Sequence, residues 1–97
     1  MRILKAVAKA TGVRIEAIRS YSGQRAVMWS RVCCYYILRV RLELMLKEIA
    51  GVMNRNNHNC VKSGIGTAVI LRETNPPFRR FWDRYVQPVI DAELSEP

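Results

Sequence analysis

The run "NRNNHNCV", residues 54–61, decides how this chain is read. It is polar and rich in asparagine, and it holds the sole histidine, His58. Before it, "LKEIAGVM" (residues 46–53) places Leu46, Ile49, Ala50 and Met53 at helical spacing. After it, a second pattern runs from about Asn57 to Glu73 and offers Val61, Ile65, Ala68, Val69 and Leu71 to a core. The run is either a solvated surface loop whose asparagines cap a helix, or a loop opening a helix aimed at a ligand. Short helix, polar turn and longer helix make a helix-turn-helix by pattern. In such a motif the first residues of the second helix face the DNA major groove. Asn57, His58, Asn59 and Cys60 are then the candidate base-reading residues. Asparagine can pair bidentately with adenine, and a helix N-terminus attracts phosphate.

Working outward, the pattern is helical throughout. Ile3, Leu4, Val7, Ala8 and Ala10 define a first helix that Gly12 can end. A short second helix spans residues 16–20, and "SYSGQR" (residues 20–25) reads as a turn. The longest helix is expected over residues 25–42, with Val27, Met28, Val32, Tyr35, Tyr36 and Val40 inward. Gly64 and Gly66 each cost a helix interior roughly 1 kcal/mol relative to alanine, which signals either weakness or close packing. In "TNPPF", Thr74 or Asn75 can cap and Pro76 and Pro77 suit a first turn. The last helix is expected over residues 78–94, with Pro88 kinking or shortening it. The fold class is therefore all-α: one domain of five to six helices containing the helix-turn-helix, with a core of about residues 3–90 and a short acidic tail, residues 91–97.

Charge narrows the partner. Residues 1–73 carry 13 Lys/Arg against 4 Asp/Glu, a net of +9, while residues 74–97 carry 3 against 4, a net of −1. A basic body implies a polyanion, with nucleic acid ahead of an acidic membrane or protein. Cys33, Cys34 and Cys60 form no disulfide framework: the count is odd, and neighbouring helical side chains diverge. Reduced thiols in a cytoplasmic protein fit this usage. Spacing for zinc is missing, and neither a signal peptide nor a membrane span is legible. A lone histidine, no clustered carboxylates and no phosphate-cradling glycine loop leave little for catalysis, so no enzyme, cofactor or small-molecule substrate is expected.

The residues also carry a resemblance. "IAGVMNRNNHNCV" (residues 49–61) resembles the helix-turn-helix signature of the C-terminal DNA-binding domain of the bacterial replication initiator DnaA, close to I-G-x-x-[FY]-G-x-R-D-H-[ST]-T-V. Ile49, His58 and Val61 match it. "ILKAVAKATGVRIEAIRS" (residues 3–20), "SRVCCYYILRV" (30–40) and "NPPFRRF" (75–81) are similar to other helices of that domain. The resemblance implies a Trp-repressor-like fold that binds double-stranded DNA. It implies phosphate contacts at Arg31 and Arg39, with Lys62 near the backbone, Arg55 standing in for a displaced signature arginine, and Arg25 at the minor-groove flank. Departures are concentrated among the base readers. The signature Arg-Asp pair is Asn56-Asn57, the two threonines are Asn59 and Cys60, and Gly23 falls where the family's minor-groove arginine is expected. An asparagine in place of aspartate shifts preference from the cytosine amino group toward adenine.

The expectation is a stand-alone, nucleoid-associated domain, bacterial or phage-encoded, with an altered base preference. Lacking the family's ATPase domain, it would modulate a DnaA-type initiator by competing for its sites, or regulate genes, rather than initiate replication alone. A second reading is a protein-interaction module that kept the fold and lost DNA. Trp29, Tyr35, Tyr36, Phe78, Phe81 and Trp82 could supply its docking surface, although core packing at helical spacing is the plainer reading of each; Trp29 is the exception to watch, since an exposed ring there would be a partner anchor or a DNA-backbone contact.

Overall fold

The computed structural model describes residues 2–94 and is helical, with no strand among them. Residues 95–97 of the acidic tail lie outside the described residues. Helix α1 is Arg2–Thr11, α2 is Ile15–Ile18 and α3 is Arg25–Tyr36, which runs on as a π-helical turn, Ile37–Arg41. Then follow α4 (Leu46–Val52), α5 (His58–Thr74) and α6 (Pro76–Phe81). A second π-helical turn, Trp82–Val86, leads into α7 (Gln87–Leu94).

Helix α3 is the central post. It packs along α5 on one side and α1 on another, while α4 lies against α5 and α7 against α1. Its burial is nearly continuous from Trp29 to Tyr35. Cys33 and Cys34 are free thiols inside the core, and Cys60 is a free thiol at the surface. Burial raises the pKa of both inner thiols, with Cys34 pushed up to about 12.

Local chemistry places the helix ends. Gly12 adopts φ +76° and its N–H returns to Ala8 O at 2.9 Å, closing α1. Asn75, not Thr74, caps α6: its Oδ1 accepts from Phe78 N at 3.0 Å, ahead of Pro76 and Pro77. Pro88 is the second residue of α7, which continues without a break from the second π-helical turn. The π-turn just before it widens the helix where the proline ring would press on the preceding turn.

Expectations about the core change at several places, one of them Val69, which the α5 pattern offers to the core but which is 39% exposed. The long helix does not stay α-helical to residue 42; the π-turn rotates the following side chains, so Ile37 and Leu38 are buried and Val40 is exposed. Trp29 is not a surface anchor. It is 9% exposed, with its ring edge-on to Phe78 at 5.3 Å and to Phe81 at 5.4 Å. Tyr35, Phe78 and Trp82 are buried as well, so these aromatics join α3 to α6 and the second π-turn instead of forming a docking surface.

Of the two glycines in α5, Gly64 is set by packing. It is buried, and a Cβ there would run into the ring of Tyr35. Gly66 has open space around it. Gly64 thus lets α5 approach α3 closely, which fixes the height at which the start of α5 emerges.

Candidate nucleic-acid interface

Helix α4 begins with the Glu48 carboxylate accepting from Met45 N at 2.9 Å. It buries Ile49, Ala50 and Met53. Its end is a Schellman turn: Asn54 takes φ +57°, Arg55 N donates to Ala50 O at 2.8 Å, and Asn54 N donates to Gly51 O at 3.3 Å. An asparagine tolerates this left-handed backbone better than most residues. The chain then turns through Asn56 to Asn57, which caps α5. Asn57 Oδ1 accepts from Asn59 N at 2.7 Å. Val61, Gly64 and Ala68 face the core, so His58, Asn59, Cys60 and Lys62 are left exposed.

This start of α5 meets other groups. A surface depression is lined by Arg39, Met45, Leu46, Lys47 and His58. Arg39 is exposed and braced by an Nη1–H bond to Leu44 O at 2.9 Å. Arg39, Lys47 and Lys62 pair with no carboxylate among the described residues. The positive pole of a 17-residue helix adds to the same field. Sequence reasoning missed Lys47, although its signal was present: with Leu46, Ile49, Ala50 and Met53 inward, Lys47 must point out.

The expected site residues therefore separate. His58, Asn59, Cys60, Lys62 and Arg39 are exposed around the start of α5 or beside the depression. Asn57 is exposed too, but its side-chain oxygen is committed to the cap. Arg25 opens α3, exposed, with its guanidinium 5.5 Å from the Trp29 ring centre.

Arg31 and Arg55 are corrected, because both are only 8% exposed and spend their donors inside the protein. Arg31 Nε donates to Ile18 O at 2.9 Å, and Nη2 donates to Ser22 O at 3.0 Å and Ala17 O at 3.5 Å. Arg55 Nε donates to Tyr35 Oη at 2.9 Å, Nη1 to Arg19 O at 2.9 Å and Nη2 to Ser20 O at 2.6 Å. Desolvation lowers the pKa of Arg31, and the nearby Arg55 charge acts in the same direction. Neither guanidinium is presented to a phosphate. The sequence could not show this, because an arginine on a helix reads as a surface charge until the fold surrounds it with orphan carbonyls.

A short helix, a capped turn and a longer helix whose exposed first turn sits among unpaired cations define a helix-turn-helix protein of the DNA-binding class. The family model for the bacterial DnaA protein helix-turn-helix matches residues 1–67. The chain belongs to that family. The match ends within α5, so α6, the second π-turn and α7 lie beyond it. No curated protein and no solved structure matches the chain. No helix among the described residues is long and apolar enough to cross a membrane.

Proposed function

We propose that this chain binds double-stranded DNA with the start of α5 in the major groove, and that it reads sequence with a preference altered from that of its family. The observation that carries this reading is the set of exposed groups on and around one helix start: His58, Asn59 and Cys60 with Lys62, and Arg39 and Lys47 at the adjoining depression. His58, Asn59 and Cys60 are the base-reading candidates. Asn57 keeps its Nδ2 donors for a base or phosphate while its oxygen holds the cap. Arg39, Lys47 and Lys62 hold phosphates, and Arg25 flanks the groove. Phosphate contacts set the register and base contacts the sequence, so changed readers on retained cations keep the grip and alter the site. Such a protein would compete with a DnaA-type initiator at shared sites or occupy sites of its own.

The test is fluorescence anisotropy against three duplexes at two salt concentrations: one carrying the initiator family's box, one scrambled, and one random pool. Binding to the pool with enrichment of a distinct sequence is expected. Replacing Lys47 or Lys62 by alanine should flatten the plot of log affinity against log salt by about 0.9 for each phosphate no longer neutralised. No binding at low salt would discard the reading. Tight binding to the family box alone would discard the altered preference.

A further inference from the structure

We propose that Arg55 is a positioning residue that locks the loop after α2 to the turn of the helix-turn-helix, so that this loop and the start of α5 meet a duplex as one rigid surface. The proposal rests on the DNA-binding reading and deepens it.

Helix α2 has four residues, too few to hold itself. The loop that follows has little backbone pairing of its own: Ser20 N donates to Ala17 O, while Ser22 N and Gln24 N rely on serine hydroxyls. Its order comes from two buried arginines. Together Arg31 and Arg55 occupy the carbonyls of Ala17, Ile18, Arg19, Ser20 and Ser22. Arg31 ties them to α3. Arg55 ties them to the turn, since it is the residue whose own N–H closes α4 on Ala50 O.

The geometry of Arg55 needs a guanidinium. Three nitrogens point to three acceptors: the Tyr35 hydroxyl on α3 and two successive carbonyls of the loop. The Tyr21 ring lies over the same group, 4.3 Å from its central carbon, and is itself 74% exposed. Tyr35 is in turn held by the space Gly64 leaves on α5. The loop, the turn, α3 and α5 therefore share one side chain. A lysine keeps the charge but offers one nitrogen, which cannot span both carbonyls and the phenol.

Charge and geometry can be separated on the full chain. Arg55→Lys and Arg55→Ala are compared with wild type for hydrogen exchange of residues 20–24 and for affinity to the duplex selected from the pool, at a temperature where circular dichroism shows full helix. Both variants should speed loop exchange and weaken binding by about tenfold or more, through loss of preorganisation. Wild-type affinity for Arg55→Lys with weak binding for Arg55→Ala would overturn the proposal in favour of a charge contact. Unchanged loop exchange would overturn the clasp. Faster exchange with unchanged affinity would overturn its link to DNA. If the Arg55 variants do not fold, Tyr35→Phe removes one acceptor and keeps the ring. It should speed loop exchange while leaving α1 and α7 protected, and unchanged loop exchange there also overturns the clasp. Wild type failing to bind any duplex removes the DNA reading and leaves the exchange result standing on its own.

Discussion

Arg55 and Lys62 sit seven residues apart in one motif and carry the same charge, yet they live in different solvents. The Arg55 side chain is buried: its guanidinium is ringed by carbonyls, a phenol and an aromatic face. The first turns of α5 are wet and unpaired, exposing His58, Asn59, Cys60 and Lys62. One region builds the platform and the other stands on it. The difference teaches that a count of basic residues overstates the surface available to a polyanion. Of the thirteen Lys/Arg in residues 1–73, Arg31 and Arg55 are spent inside.

The sharpest way to break this contrast is to shorten both side chains. Arg55→Ala strips partners from the Tyr35 hydroxyl and the carbonyls of Arg19 and Ser20, and should lower unfolding stability by about 3 kcal/mol. Lys62→Ala should stay within about 0.5 kcal/mol. Urea denaturation of both checks this, and equal effects would erase the distinction between platform and surface.

Next in size is the glycine pair on α5. Gly64→Ala forces a methyl against the Tyr35 ring and should cost about 2 kcal/mol. Gly66→Ala meets open space and should stabilise by about 0.5–1 kcal/mol through helix propensity. Thermal melts of opposite sign are expected, and a shared sign would contradict the packing of α5 on α3.

Asn57→Ala removes the cap of α5 and should cost about 1 kcal/mol. If its Nδ2 also serves a base, affinity falls further than that stability loss explains. Anisotropy beside a melt tells the two apart.

The smallest effect at neutral pH concerns the thiols. The pKa of Cys34 is raised in the folded state from 9.0 to about 12. Its contribution is therefore intact below pH 9.0 and is lost as pH rises from there toward about 12. Cys34→Ala should flatten that alkaline decline in a pH-resolved denaturation series. A thiol reagent at neutral pH should titrate Cys60 quickly and reach Cys33 and Cys34 only on unfolding.

Much of this was legible from pattern and local chemistry. Helical periodicity, Gly12, Asn75 with its prolines, and the polar run before Val61 act within a few residues of themselves, so their consequences follow from spacing. The family likeness was carried by residues 49–61, again a local signature. Cys60 and His58 at the surface follow from Val61 facing in.

Other outcomes depended on what the fold brings together. Trp29 became core because α6, distant in sequence, lays Phe78 and Phe81 against it. Val40 turned outward because a π-turn changed the helical register by a fraction of a turn, which period counting cannot see. Gly64 acquired its purpose from Tyr35 on another helix. The roles of Arg31 and Arg55 were settled by the orphan carbonyls after α2, distant in sequence and adjacent in space. Spacing along a chain states which way a side chain points from its own helix. Whether it meets water, carbonyl or ring there is decided by the neighbour that packs against it.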